Sequence, residues 1–444
     1  MRFHRGFRLA SIPALTFCFF AQVASAQGLL RDADIEHGLT RLAAPLLSAA
    51  GLNPNRVKIL VVNDSALNAF VVGNDAIFIH YGLITRMDSA AMLQGVIAHE
   101  AAHISNGHIA RRSQNFASAR TAAGFGLALA AVAGAAGATG EAAAGIALGT
   151  QSSALRRFLK HTRAEEASAD QSAVRYMRAA GINPQGMSDV LALFRGQELL
   201  AETRQDPYMR THPFSRDRIR ALDSYVAAYG SEIADTNSYD YWFARVRGKL
   251  SAFKRAPKWT LRDLSNDRYR DVRLLREAVA KHRQSRTEDA LRAIDSAIAL
   301  RPDDAFLHDQ RGQILIESRN FGAAVGAYAR AASLAPNNAL VLAGYGRALL
   351  VEDHVKKAQQ ILEKARTLDF RDASMLRDLS VAYARLDQNG MASLVTAERY
   401  AVVGRLDDAA IHAKRASGLL AEGSGAWQRA QDVLIAAERA AKRR

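Results

Sequence analysis

The chain has 444 residues, of which 49% are hydrophobic, and a formal charge of +15. This length exceeds a single compact core, so two or more domains are expected. The Lys and Arg residues are scattered through helical segments and are not gathered with aromatics into one block, which argues against a nucleic-acid-binding protein. The basic tail from Arg439 to Arg444 could contact an anionic membrane surface, which stays an open alternative.

The first 26 residues have the organisation of a secretory signal peptide. Three arginines lie within residues 1–8, an apolar run follows from Leu9 to Phe20, and small residues occupy positions 24 and 26. The run is much shorter than the roughly 20 residues of a membrane-spanning helix. We therefore expect a mature chain that begins near Gln27. Because the only cysteine, Cys18, would be removed, a bacterial periplasm is favoured over a disulfide-stapled extracellular module.

Residues 35–109 predict a helix, two strands and a second helix in that order. Apolar residues recur at helical spacing from Ile35 to Ala50. Two β-rich runs follow, from Val57 to Val62 and from Ala69 to Ile79. The segment from Met92 to Ile109 predicts a helix that Asp88-Ser89 can cap.

The residues from Ala76 to His80 directly precede this helix. They are a candidate sheet edge along which an extended peptide could lie. Such pairing would recognise the peptide through its backbone hydrogen bonds and not through its side chains. An ordinary interior strand is the alternative.

The segment from Thr121 to Gly149 consists almost entirely of Ala, Gly, Leu and Val, with Glu141 as its only charge. Small residues permit close packing of a helical hairpin. We expect such a hairpin, soluble or touching a membrane, in preference to a spanning segment.

A period of 34 residues begins near Arg286. The residues that repeat at this step are Pro302 and Pro336; Gly312 and Gly346; Ala290, Ala324 and Ala358; and Ala297, Ala331 and Ala365. Small residues where paired helices touch and a proline at the unit boundary are typical of tetratricopeptide repeats. A further helix pair is expected from Glu398 to Leu419. The pattern predicts a solenoid that binds protein segments, with a generic helical bundle as the alternative.

The motif H-E-x-x-H at His99, Glu100 and His103 carries the chemistry. On a helix, residues four apart share a face, so both imidazoles can bind one ion while Glu100 projects beside them. Zinc accepts histidine and carboxylate ligands, and its catalytic sites keep one position for water. Glu100 can take the proton of that water.

A third ligand must come from elsewhere. His108 is near, but the three-histidine arrangement places its third ligand six residues after the second histidine, at Ile109 here, so we interpret His108 as a polar group at the helix end. Glu166 and Asp170 share a helix face, so Glu166 could bind the ion while Asp170 orients a ligand imidazole. Glu165, about 100° away, is the competing ligand. A solvated acidic helix face is the alternative to a site.

The HEAAH segment and the later E-x-x-A-D helix together resemble the gluzincin metallopeptidases of the HtpX and CAAX-prenyl-protease family. Further matches are Asn68-Ala69-Phe70, Gly82-Leu83 and Thr211-His212-Pro213. The export signal and the repeats resemble the periplasmic branch of that family. The similarity runs from roughly Leu30 to Lys442.

The resemblance implies roles at matching positions. His99 and His103 match the histidine ligands of zinc, Glu100 the general base, Glu166 the third ligand and Asp170 the acid that supports a ligand.

His212 matches a family position near the metal, with Arg218 six residues further on. His212 could donate to the transition-state oxyanion or occupy the fourth coordination position and repress the enzyme. The chain departs from the family at Ser168, where an acid is usual, and at Ala102, where glycine is usual.

These observations predict an α+β zincin-type metallopeptidase domain, mostly helical with a small sheet, followed by an all-α tetratricopeptide solenoid. The expected divisions are a signal peptide at 1–26, a zinc metallopeptidase domain at 27–262, a linker helix at 263–285 and repeats at 286–444.

The expected function is that of an exported, periplasmic zinc metalloendopeptidase with one Zn²⁺ per chain. The resemblance implies that it acts on misassembled or stalled outer-membrane proteins and engages them and their assembly machinery through the repeats. A chaperone or adaptor with incidental or repressed proteolysis is the alternative.

Overall fold

The computed structural model describes residues 28–111, 162–197, 200–201, 204–213, 215–229 and 237–441. The expected signal peptide and the hairpin expected within 121–149 lie outside these ranges. Across the described ranges, no helix is long and apolar enough to cross a membrane.

A four-stranded sheet opens the fold. Its strands are β1 (Leu29–Leu30), β2 (Lys58–Val62), β3 (Ala69–Val71) and β4 (Ala76–His80), in the spatial order β1-β2-β4-β3. β2 and β4 run parallel, and the two outer pairings are antiparallel. β3 and β4 are entirely buried, and all their residues except His80 are apolar, as in strands covered on both faces.

The expectation that Ala76–His80 forms a sheet edge is wrong. This strand pairs with β2 on one side and with β3 on the other. Among the described strands, β3 has one partner and forms the edge beside the helix that carries the H-E-x-x-H motif. Strand order is set by long-range pairing, which the local pattern does not contain.

Helices surround the sheet. They are α1 (Ala33–Ala49), α2 (Tyr81–Arg86), α3 (Ala90–Ser105), α4 (Arg163–Ala179), α5 (Gln185–Ala192), α6 (Pro207–Thr211), α7 (Arg216–Tyr229) and α8 (Asn237–Lys254). Ser89 caps α3 by accepting from the backbone N–H of Met92. Because α1, α4, α5 and α8 all contact α3, nearly all of its residues are buried. The motif helix is thus the centre of the first domain.

Helix α3 ends earlier than its pattern predicts. Gly107 adopts a left-handed conformation with φ 70°, which breaks the run, and residues 108–111 resume a helical conformation in a new direction. Glycine allows this break without a steric cost. His108 therefore follows a kink and does not extend the α3 spiral.

The second part of the chain is a series of antiparallel helices. They are α9 (Pro257–Asp263), α10 (Arg270–His282), α11 (Thr287–Leu300), α12 (Ala305–Glu317), α13 (Phe321–Leu334), α14 (Ala339–Val351), α15 (Val355–Leu368), α16 (Ala373–Arg385), α17 (Asn389–Val402), α18 (Leu406–Leu419) and α19 (Gly425–Ala441). Consecutive helices from α10 onward pack on each other. The predicted fold class, a mostly helical domain with a small sheet followed by a tetratricopeptide-like solenoid, is confirmed.

The 34-residue period is visible in the backbone as well as in the small residues. Asp304, Asn338 and Asp372 cap α12, α14 and α16 with their side chains. The turn inside each helix pair contains one left-handed residue at the same step: Ser285, Arg319, Asp353 and Asp387. Since Ser285 joins this series, α10 and α11 have the geometry of the later pairs. Helix α17 begins at Asn389, so the start expected at Glu398 is wrong.

A buried ionic cluster joins the two parts. The Arg245 guanidinium, 2% exposed, donates to Asp34 at the start of α1 (2.7 Å) and to the solenoid cap Asp304 (2.5 Å). The fully buried Lys249 ammonium lies 2.9 Å from Asp32. Arg31 reaches Asp369 of the solenoid at 2.6 Å. Charges buried this deeply require their partners, so the cluster holds the two parts in one arrangement.

Candidate metal centre

Helix α3 carries His99, Glu100 and His103, and the two histidines face α4. The exposed fractions of these residues are 2%, 0% and 0%. The Nε2 atoms of the two imidazoles lie 3.1 Å apart, as residues four apart on one face should. Both nitrogens point at a common space.

Helix α4 brings the carboxylate of Glu166 to that space. Its Oε1 lies 3.3 Å from His103 Nε2 and its Oε2 lies 3.4 Å from His99 Nε2. Glu165 is turned outward because it forms a capping box with Thr162, whose backbone N–H donates to the Glu165 carboxylate at 2.9 Å. The structure therefore places Glu166, and not Glu165, beside the histidines.

Asp170 and Arg218 lie behind these groups. His99 Nδ1 is 3.0 Å from Asp170 Oδ1, and the Arg218 guanidinium contacts both Asp170 oxygens (2.5 and 2.9 Å) and Glu166 Oε2 (2.6 Å). Burial favours the protonated carboxyls, but the charge of Arg218 together with the neighbouring histidines outweighs it and lowers the pKa of both Glu166 and Asp170. Arg218, expected among the catalytic residues, contacts the two carboxylates.

His212 closes the remaining side. It follows helix α6, is fully buried, and its Nε2 lies 3.3 Å from Glu100 Oε1. Its ring packs against the Tyr208 ring at a centroid distance of 4.5 Å. His212 thus stands between the ligand-type groups and the carboxylate expected to act as base.

The donor set fits a metal ion. One ligand atom each from His99, His103, Glu166 and His212 lie within 4.8 Å of one another. His99 donates from Nδ1 to Asp170, so the neutral ring turns the Nε2 lone pair toward the common space. Convergent lone pairs and a carboxylate repel one another unless a cation or a proton lies between them. Two imidazoles, a carboxylate and one further position match a catalytic zinc site.

The pKa values of His99 and His103 depend on the balance between burial and the neighbouring carboxylates. Burial opposes the charged form of His99, but hydrogen bonds and charge from Asp170 and Glu166 raise its pKa to about 10. Burial lowers the pKa of His103 well below its ordinary value. In the metal-free protein, a proton on His99 therefore supplies positive charge at this centre.

His108 is outside the four-residue cluster, as expected of a residue that is not a ligand, but it contacts one of the ligand-type histidines. The interpretation as a polar group at the helix end does not fit its position, since it is 2% exposed and its Nδ1 lies 2.8 Å from Nδ1 of His103. The kink at Gly107 brings it there. If His103 is to offer the Nε2 lone pair, it must donate from Nδ1, and His108 is positioned to accept.

Comparisons with known proteins define the class. Residues 30–226 match the model of peptidase family M48, and residues 315–386 match a tetratricopeptide repeat model. Residues 30–226 therefore carry a domain of the peptidase M48 type and a later part of the chain carries tetratricopeptide repeats, so the resemblance drawn from the motifs is confirmed.

Among named proteins, the chain is similar to the Beta-barrel assembly-enhancing protease of Escherichia coli (strain K12). The two are 22% identical over 400 residues, which cover 88% of this chain and 80% of the relative. The Metalloprotease LoiP of the same organism is 28% identical over 192 residues, covering 43% of this chain and 71% of that protein.

A solved structure described as "Crystal structure of YrrB: a TPR protein with an unusual peptide-binding site" is also similar. It is 17% identical and covers 39% of this chain and 89% of that one, with a TM-score of 0.31.

Proposed function

We propose that the chain is an exported zinc metalloendopeptidase of the periplasm that acts on misassembled or stalled outer-membrane proteins. The convergence of four buried ligand-type groups beside Glu100 carries this proposal. The name of the relative supports β-barrel proteins as clients. The expected signal peptide at 1–26 supports the location.

In the proposed site, His99, His103 and Glu166 hold the zinc. Bound zinc would act as a Lewis acid toward the scissile carbonyl and make water more acidic. Glu100 accepts the proton of the attacking water and returns it to the leaving amine. Its carboxylate oxygens accept no hydrogen bond from the described residues, which suits a base.

Asp170 and Arg218 position the other groups. Asp170 fixes the tautomer and the orientation of the His99 imidazole. Arg218 holds both carboxylates in place and keeps them ionised. We propose that neither touches the substrate.

We propose that an extended substrate pairs with strand β3 (Ala69–Val71), the sheet edge beside α3. Such pairing uses backbone hydrogen bonds and favours unfolded segments. The solenoid, which we propose to begin at Arg270 with α10, would bind clients or the assembly machinery.

The distance of 3.3 Å between His212 and Glu100 favours a restrained enzyme. We propose that His212 in this arrangement occupies space that water and substrate would need beside Glu100. Replacing His212 with Ala should raise proteolysis if the residue represses the enzyme. The same change should lower turnover if His212 stabilises the oxyanion, by roughly 100-fold or more.

The decisive experiment compares the metal content of the wild type with Glu166→Gln and Glu165→Gln variants. Structural zinc sites bind with roughly 10–16 kcal/mol over four coordination positions, so the ligand at one position contributes roughly 2.5–4 kcal/mol and its loss should weaken affinity about 100- to 1,000-fold. Glu165→Gln should leave affinity unchanged. Loss of zinc from the Glu165 variant alone would overturn the ligand assignment.

A Glu100→Gln variant separates catalysis from scaffolding. It should keep zinc and lose cleavage by about 100-fold or more. If this variant fully supports outer-membrane assembly in cells, the chaperone or adaptor function is the main one.

A further inference from the structure

The segment that precedes strand β3 is tied to the helix that carries His212. The backbone N–H of Tyr208, in α6, donates to the Leu67 carbonyl at 3.1 Å. The Thr211 hydroxyl lies 3.3 Å from Oδ1 of Asn68. Asn68 and Thr211 are 5% and 6% exposed, so this polar contact is made away from bulk water.

The sheet fixes Asn68 from its other side. The backbone N–H of His80, the last residue of β4, donates to the Asn68 carbonyl at 2.9 Å. β3 then begins at the next residue, Ala69. Asn68 therefore connects the sheet edge to α6, with its backbone held by the strand and its side chain by Thr211.

Thr211 in turn orients His212. Its hydroxyl oxygen lies near three acceptors, the carbonyls of Pro207 (3.0 Å) and Tyr208 (3.2 Å) and the Asn68 side chain. It also lies 3.0 Å from His212 Nδ1. A hydroxyl has one proton to donate, so with oxygens on its other sides it accepts from Nδ1–H of His212.

This tautomer determines where the second ring nitrogen points. With the proton on Nδ1, the Nε2 atom of the neutral His212 ring carries a lone pair and faces the ligand-type groups and Glu100 Oε1. The chain of contacts thus runs from Asn68 through Thr211 and His212 to Glu100.

We infer that Asn68 and Thr211 are positioning residues that latch α6 over the metal centre and hold His212 against Glu100. The inference rests on the proposed function, since it concerns access to a bound metal. A peptide added to the β3 edge would pair with the strand that begins one residue after Asn68, so substrate and latch act on the same segment.

The test measures how fast a strong chelator extracts zinc from the loaded, full-length protein. Thr211→Val keeps the shape of the side chain and removes the hydroxyl. It should speed extraction about five- to tenfold, the effect of one lost hydrogen bond. Thr211→Ser restores the hydroxyl and should match the wild type.

A double-mutant cycle separates positioning from general loosening. If Thr211 acts through His212, then His212→Ala should speed extraction by at least as large a factor, and adding Thr211→Val to it should bring no further increase. Asn68→Ala removes only one of the three acceptors of the Thr211 proton, so it should speed extraction by less than Thr211→Val does. Thermal unfolding of the metal-free Thr211→Val and Thr211→Ser variants should show that both fold.

Unchanged extraction in the zinc-loaded Thr211→Val protein, or additive effects in the cycle, overturns the latch. A wild type that takes up no zinc overturns the proposed function first, and the latch with it.

Discussion

Arg218 offers the sharpest test of the charge balance behind the metal centre. Its guanidinium is 8% exposed and contacts Glu166 at 2.6 Å and Asp170 at 2.5 and 2.9 Å. In an Arg218→Met variant, the buried carboxylates lose their principal cation. Removing one partner of a buried ion pair costs about 3–5 kcal/mol, so the metal-free variant should be less stable by that amount at pH 7.

The pH dependence of the stability lost in Arg218→Met identifies the cause of that loss. In the wild type, Arg218 lowers the pKa of Glu166 and Asp170, so both contribute stability above their unfolded pKa of about 4 and lose it as the pH falls through the folded pKa. In the variant, burial dominates and raises both pKa values, so ionised carboxyls are destabilising at pH 7 and this cost disappears on acidification. The stability difference should therefore shrink steadily from pH 7 toward pH 4.

Hydrogen exchange of the metal-free protein measures this stability difference in the individual helices. Peptides from α3 and α4 report the opening free energy of the helices that carry the site. The control is Arg220→Met, a change on the same helix whose side chain is 75% exposed and which should alter stability by less than about 0.5 kcal/mol. A cost for Arg218→Met that is below 1 kcal/mol, or equal at pH 7 and pH 5, would refute the charge argument.

Other variants test the surroundings of the site and of the domain junction. His108→Ala should weaken zinc affinity about 10- to 100-fold in a chelator competition, because a ligand imidazole loses its acceptor; unchanged affinity would contradict this. Gly82→Ala places a Cβ 2.0 Å from a backbone carbonyl oxygen and should cost about 1–3 kcal/mol in thermal unfolding, whereas Gly418→Ala, with open space around it, should not destabilise. Burial raises the pKa of Asp309 to about 7, so its ionisation costs stability as the pH rises from about 4 through 7. Asp309→Asn should therefore raise the Tm more at pH 8 than at pH 5, and an equal shift at both would refute the assignment.

The sequence predicted those features whose signal lies within one short stretch of the chain. Helical spacing sufficed to place His99 and His103 together, and the 34-residue period predicted the solenoid. The pairing of Glu166 with those histidines required two helices to meet, and the family resemblance supplied what spacing alone left open. These site residues remain predictions of function, although the structure brings them together.

The misses have physical causes. Nothing in the residues around Ala76–His80 records which strands will pair with them, because strand order depends on distant segments. His108 was misread because an unbroken helix was assumed, whereas Gly107 changes the direction of the chain. A glycine between two histidines was the available signal.

The ionic cluster between the two parts has a consequence for how this protein can be divided. A catalytic fragment ending near residue 262 would keep Arg245 and Lys249 while losing Asp304 and the solenoid surface that covers them. Arg245 would then keep Asp34 but lose its second carboxylate, and Lys249, although still paired with Asp32, would lose the cover that keeps it from water. The repeats are in this sense part of the folding unit of the enzyme as well as a surface for partners, and a fragment that fails to fold would say nothing about whether catalysis needs a client.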